Sequence, residues 1–263
     1  MVEKDIEFNP IKLRLDYFKK DFPFDNELAE TVKEIKGHEF LERPLTQNMH
    51  IYLVEYLLAF SRKWLSKENI SVLDWGCGKC QVSYLLKKRN VNVLSCDVDI
   101  IGRGDSALGQ YTPIADFAQI NVIPLKHEYI LPFADKSIDV VLSFGVLEHV
   151  PNAKESLVEI TRILKPNGLF FCFWLPYKYS WRSKIIHMQG SNYHDHLYIK
   201  EDVKKLLDYS GLKLIDFWYR DMLPLKSKIS NYRKIENIDN WLCRNTILKY
   251  LSSNIEFVAK KGG

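Results

Sequence analysis

The chain predicts an α/β fold: one doubly wound, mostly parallel sheet of seven strands with an antiparallel last strand, preceded by an N-terminal helical cap. Three observations predict it. From residue 70 onward, short β-rich apolar runs alternate with helix-periodic stretches, as right-handed crossovers in a parallel sheet require. The first run, Val72-Leu73-Asp74-Trp75-Gly76-Cys77-Gly78, ends in an acid and two glycines one residue apart. Such a turn lets backbone approach a ligand closely, because no Cβ intrudes. Before residue 67 there is helical spacing and no strand signal.

The elements follow in order. Residues 1–66 form the cap, in which Ile51, Val54, Leu57 and Leu58 recur at helical spacing, with Thr46 as the expected cap of a helix reaching Ser61. The remainder, 67–263, is the main domain. Strands are expected at 71–74, 91–97, 120–124, 138–144, 169–174, 212–218 and 255–259, with helices at 81–89, 154–164 and 200–209. Residues 175–198, rich in aromatics and His, follow the fifth strand and are expected to form an ordered lid over the ligand edge. A last strand inserted beside the sixth leaves 221–253 as an excursion at one edge.

Bulk properties narrow the function. A net charge of +4 over 263 residues admits an anionic substrate but lacks the concentrated basic stripe of a nucleic-acid binder. The five cysteines (Cys77, Cys80, Cys96, Cys172 and Cys243) are odd in number, and three sit in or beside expected strands. That suits reduced thiols better than a disulfide framework. Cys77 and Cys80 form a C-x-x-C with no second pair at zinc-finger spacing, so no metal is expected. Residues 1–10 carry three acids and no signal-peptide core, and no run of about 18 apolar residues could span a bilayer. A cytoplasmic protein is expected.

The site residues come from the strand ends. In a dinucleotide fingerprint, G-x-G-x-x-G, the third glycine would fall at position 81; here it is Gln81. Asp74, just before the glycines, would repel a pyrophosphate and attract an ammonium or sulfonium group, favouring S-adenosylmethionine over NAD. Asp97 ends the second strand 23 positions later, near the spacing at which a strand-end acid accepts both ribose hydroxyls; Asp99 competes for that role. Glu128 and Tyr129 fall where an adenine would sit, with Glu128 or a neighbouring carbonyl accepting from its exocyclic amine.

The ordered set V-L-D-W-G-C-G, Cys96-Asp97, L-P-F-A-D-K-S-I-D-V-V-L-S-F-G-V-L-E-H-V and I-L-K-P-N-G-L-F-F resembles the class I S-adenosylmethionine-dependent methyltransferases, whose sheet is Rossmann-like. Within them it is most similar to the bacterial small-molecule and glycan-modifying group. The resemblance covers residues 70 to 175, and residues 253–260 are like that group's final strand. It implies that Asp74, Gly76 and Gly78, with Cys77 between them, contact the methionine moiety. Asp97, with Val98 beside it, is then the ribose acceptor, Glu128 and Tyr129 flank the adenine, and Phe144 and Gly145 line the cofactor. Many relatives have a third glycine where this chain has Cys80; the thiol should be tolerated in a slightly wider turn.

The acceptor side is read from the lid and the fourth-strand end. Methyl transfer to oxygen needs that oxygen at least partly deprotonated, and His is the usual base. His196 is one candidate, with Asp195 orienting His194 or His196; in the other reading His196 and Tyr198 only fasten the lid. His149, after Glu148, either touches the acceptor or orients its loop. Trp174, Tyr177, Tyr179 and Trp181, interleaved with Lys178, Arg182 and Lys184, would suit a phosphorylated or sugar-bearing acceptor; a solvated helix face explains the same charges. The sequence thus reads as a methyltransferase acting on oxygen of a small sugar, nucleotide-sugar or phosphorylated cell-envelope precursor. A nucleic-acid or protein methyltransferase is disfavoured by the modest charge and by the absence of an Asn-Pro-Pro-Tyr type motif after the fourth strand. A non-catalytic cofactor-binding protein is the remaining alternative.

Overall fold

The computed structural model describes residues 8–18, 20, 44–98, 113–127, 129–188, 196–223 and 232–262. Seven strands form one sheet: β1 (Ser71–Trp75), β2 (Asn92–Val98), β3 (Val122–Leu125), β4 (Ile138–Phe144), β5 (Leu164–Pro176), β6 (Leu212–Arg220) and β7 (Asn254–Lys261), in the order β3-β2-β1-β4-β5-β7-β6. The first five are parallel, and β7 runs antiparallel between β5 and β6. All seven expected strands are present, and the last has the expected direction. β1 and β4 are buried along almost their whole length, which is why they read as near-continuous apolar runs. β3 carries Pro124 without penalty because it lies at the sheet edge.

The helices are α1 (Pro10–Phe18), α2 (Pro44–Leu65), α3 (Gln81–Lys87), α4 (Pro113–Ala118), α5 (Ala153–Ile163), α6 (Trp181–Met188), α7 (Lys200–Ser210) and α8 (Tyr232–Asn245). Strand alternation sorts side chains into two cores. Val72, Val140, Leu142, Phe171 and Phe173 meet α2 and α3 on one face; Leu73, Val141, Phe170 and Cys172 meet α5 and α7 on the other. α2 begins at Pro44 rather than near Thr46, because a proline without N–H and with fixed φ suits the first helical turn. Leu53, Tyr56, Leu57 and Phe60 of α2 are fully buried, so this helix is part of the sheet's own core. α1 reaches the opposite edge, where the Arg14 guanidinium donates to Asp216 on β6 at 3.0 Å and lies 4.4 Å over the Trp218 ring.

β5 begins at Leu164, five residues before the expected start, because Lys165–Gly168 forms an irregularity that shifts its register against β4. A second register shift falls between Cys172 and Leu175, where Trp174 has φ +59. By alternation Trp174 should share the face of Phe170 and Cys172. The left-handed backbone turns it to the α2 face instead, where it packs among residues of the first core.

Candidate functional site

The turn after β1 is built by backbone geometry. Gly76 has φ +70, and a Cβ there would stand 2.6 Å from a Val146 methyl, so only glycine fits on both counts. The Gly76 and Cys77 N–H groups both donate to the Cys96 carbonyl, at 2.9 and 3.0 Å, tying this turn to the end of β2. Gly78, also at positive φ, donates its N–H to Asp97 Oδ2 at 2.6 Å, and Val98 N–H donates to Asp97 Oδ1 at 2.7 Å. Each carboxylate oxygen retains a further lone pair for a ligand hydroxyl. Cys80, just before α3, adopts φ +63, a left-handed conformation glycine takes freely and other residues at about 1–2 kcal/mol. The Cys77 and Cys80 sulfurs lie 3.8 Å apart.

Asp74 is the electrostatic centre of this turn. It is 1% exposed, and its Oδ2 accepts from the Ser83 hydroxyl at 2.6 Å, with Ser95 Oγ 2.8 Å from that same hydroxyl. Burial pushes its pKa up to about 7; the Ser83 bonds oppose the rise and the nearby Asp97 adds to it. Asp97 is itself shifted upward, chiefly by burial, against the pull of its two backbone donors. Among the described residues no cation pairs with Asp74. A buried, unneutralised carboxyl beside a second one fits a ligand that brings positive charge, and it does not fit a diphosphate.

The sign of the linkage follows. The folded pKa of Asp74 lies above its unfolded value, so between about pH 4 and 7 the folded protein holds a proton the unfolded chain lacks. Ligand-free stability should therefore fall as pH rises through that window. A cationic ligand binds the ionised form, so its affinity should fall roughly tenfold per unit below pH 7 and binding should release a proton. Calorimetry in buffers of different ionisation enthalpy reads this directly. Affinity for S-adenosylmethionine that stays flat from pH 5.5 to 8 would remove Asp74 from the contact.

The other expected cofactor residues line the same carboxyl edge of the parallel strands. Val98 ends β2 and is exposed; Tyr129 follows β3 and sets its ring edge-on to His127 at 4.5 Å. Glu128, Asp99, His194 and Asp195 lie outside the described residues. Phe144 ends β4, and the Gly145 N–H, at φ +66, donates to the Phe173 carbonyl at 3.0 Å.

The acceptor-side candidates gather around the turn after β4. Glu148 is 3% exposed, and its Oε2 has no hydrogen-bond partner among the described residues; burial pushes its pKa up to about 7. His149 Nε2 stands 3.9 Å from Glu148 Oε1, on a half-exposed ring. The end of the expected lid segment meets this turn: Tyr198 O–H donates to the Leu147 carbonyl at 3.3 Å, and residues 177 and 198 form a bridge. His196, exposed, is thus two residues from a fastened point of the chain.

Three residues here have surroundings that the sequence did not predict. His50 of α2 is buried, with its ring stacked on Phe144 at 4.7 Å and edge-on to Trp174 at 5.2 Å. Its Nδ1–H donates to the Thr46 carbonyl at 2.7 Å, which fixes the tautomer because a carbonyl can only accept. The Trp174 indole N–H is buried, with no acceptor among the described residues. Glu148 is the third, and a carboxylate in a polar-looking turn gives no sequence signal of burial. Of the aromatic group expected past β5, Tyr177 and Tyr179 meet edge to face at 5.7 Å, whereas Trp174 packs on the α2 face and the Trp181 N–H donates to the Met222 carbonyl at 2.7 Å. Among the described residues, no group of three or more His, Cys, Asp or Glu side chains is arranged to hold a metal.

Comparison with known proteins agrees with this arrangement. Residues 73–172 match the family described as "Methyltransferase domain". A ubiquinone/menaquinone biosynthesis C-methyltransferase of Bartonella quintana is 31% identical over 41% of this chain and 44% of its own. A ubiquinone biosynthesis O-methyltransferase of Rickettsia akari is 28% identical over 45% of this chain and 44% of its own. The chain thus spans less than half the length of these curated relatives. The crystal structure of a SAM-dependent methyltransferase from Archaeoglobus fulgidus, at 21% identity, superposes over 79% of this chain and 94% of its own with a TM-score of 0.50. With its matched domain at residues 73–172, its strand order and its strand-end acids and glycines, the chain is similar to the class I S-adenosylmethionine-dependent methyltransferases and has their fold.

Proposed function

We propose that the protein transfers the methyl group of S-adenosylmethionine to an oxygen of a small cytoplasmic acceptor, such as a sugar, nucleotide-sugar or phosphorylated cell-envelope precursor. The observation that carries this reading is the buried Asp74 carboxyl, shifted to about pH 7 beside Asp97 with no cation of the described residues against it. In this reading Asp74 and the Gly76-Cys77-Gly78 turn receive the cationic amino-acid end, and Asp97, with Val98, receives the ribose hydroxyls. Tyr129, and Glu128 before it, flank the adenine, and Phe144 and Gly145 line the remaining wall.

When bound, the cofactor supplies a methyl group already activated by its sulfonium. The chain therefore contributes chiefly alignment and proton removal. His149, half-exposed beside the buried Glu148, is the base, and Glu148 stabilises its protonated form. His196, with Asp195, is the second candidate, because Tyr198 holds the lid against the same turn. The buried Trp174 N–H, which has no acceptor among the described residues, donates to a hydrogen-bond acceptor of the substrate. The names of the Bartonella and Rickettsia relatives support a small-molecule acceptor and leave carbon and oxygen both represented; oxygen is favoured because Trp174 offers a donor to it.

The test is transfer of label from methyl-labelled S-adenosylmethionine to a panel of sugar phosphates, nucleotide-sugars and phosphorylated precursors. Acceptor-dependent formation of S-adenosylhomocysteine is expected, with the label on an ether or ester oxygen. Trp174→Phe, which keeps the ring and removes one neutral hydrogen bond, should raise the acceptor KM about fivefold and leave cofactor affinity unchanged. Label transferred to nucleic acid or protein, or none transferred at all, would defeat the reading.

A further inference from the structure

α8 and the turn that follows it, 247–251, expose several large apolar side chains to water. The side facing the protein carries Asp239 and Cys243: Asp239 Oδ1 accepts from the Leu223 N–H at 2.5 Å, and the Cys243 thiol lies 3.3 Å from Ser252 Oγ. Both residues are buried. The side facing water carries Ile238 and Trp241, one helical step apart and 52% and 60% exposed. The turn continues that surface with Ile247, 78% exposed, and with Leu248, Tyr250 and Leu251. Contiguous exposed apolar surface of this kind marks an interaction site.

Charge identifies the occupant. Residues 224–251 hold six Lys and Arg against two acids, so this segment alone has the +4 net charge of the entire chain. The Lys249 ammonium lies 5.2 Å over the Tyr250 ring, placing a cation within the apolar surface itself. Aliphatic side chains, Trp and Tyr interleaved with Lys and Arg are the composition of an element lying in a bilayer interface, where rings sit at headgroup level and cations meet anionic lipid. Among the described residues no helix is long and apolar enough to cross a membrane, so contact would be peripheral.

The surface is placed to matter for the site. Asn254 pairs with both Arg220 and Pro176, so the 221–253 excursion returns at the edge where β5 and β6 end, the same edge that holds Asp74, Asp97 and His149. Ring contacts run from Tyr250 to Tyr219 at 5.6 Å and from Tyr219 to Tyr177 at 5.3 Å, linking this surface to the root of the lid. We propose that the exposed face of α8 and residues 247–251 docks the protein onto the surface of an anionic lipid bilayer. This inference does not depend on which reaction the site carries out.

Co-sedimentation of the full chain with phosphatidylcholine vesicles, with and without phosphatidylglycerol, tests it. Binding should require phosphatidylglycerol and weaken with salt, because the attraction of surface charges is screened. Trp241→Glu combined with Ile247→Glu should reduce partitioning at least tenfold, while affinity for S-adenosylmethionine stays unchanged and shows that the fold is intact. Absence of binding to phosphatidylglycerol vesicles at low salt, or binding that ignores the two substitutions, overturns the proposal. So does a concentration-dependent dimer in light scattering that the same substitutions abolish without any lipid binding, which would assign the face to a second copy of the chain.

Discussion

Asp74→Asn is expected to weaken S-adenosylmethionine binding by about a hundredfold at pH 8 and to abolish the pH dependence of what remains. Asparagine keeps the volume of aspartate and mimics its protonated form, so the substitution isolates charge. Hydrogen bonds to a charged group contribute about 1.5–3 kcal/mol, and a buried charge–charge contact adds to that in low dielectric. Stability should move the other way. At pH 8 the folded protein carries an ionised Asp74 whose pKa burial has raised from 3.8 to about 7, a penalty on the order of 4 kcal/mol relative to the unfolded chain. The variant escapes most of it and should melt at the same temperature or higher. Asp97→Ala should abolish binding outright, with some loss of stability, since the Gly78 and Val98 N–H groups lose the oxygens they donate to. Calorimetry and thermal melts of both variants check the pair; retained affinity in both would defeat the cofactor assignment.

His149→Gln is expected to lower kcat by roughly 10²–10⁴-fold, the usual contribution of a positioned base, with cofactor affinity within twofold of the parent. Glu148→Gln should lower kcat less and move the acidic limb of the pH–rate profile, because Glu148 titrates near pH 7 and would act through the ring 3.9 Å away. A purely structural Glu148 would change stability and leave the profile in place. His196→Ala separates the two base candidates: lost turnover there with an active His149→Gln transfers the role to the lid. If both variants keep full activity, neither histidine takes the proton.

The sheet was legible because its signals are local and redundant. β1 and β4 are uninterrupted apolar runs, and the antiparallel placement of β7 followed from a short β-rich run after a long excursion. Asp74 and Asp97 were legible because strand ends and glycine turns fix where their backbone must go. What escaped depends on backbone turns that reverse alternation or burial. Trp174 belongs by parity to the face of Cys172, and only its left-handed φ brings it to His50 and Phe144. Glu148 reads as a surface residue until the short turn at Leu147–His149 folds its carboxyl inward. His50 lies near the start of a helix that is buried nearly all round, so its ring sits within the core, which helical spacing alone does not reveal. The exposed apolar face of α8 escaped for a related reason: Ile238 and Trp241 have helical spacing, and spacing does not say which side meets the protein.

The most direct measurement is a calorimetric titration of the unmodified protein at pH 8 with S-adenosylmethionine, and separately with NADH and ATP. Two carboxyls at neighbouring strand ends should give one saturable site for the cationic nucleoside, at least a hundredfold tighter than for either anionic one, with proton release appearing below pH 7. Tight uptake of NADH or ATP by a protein indifferent to S-adenosylmethionine would contradict the account.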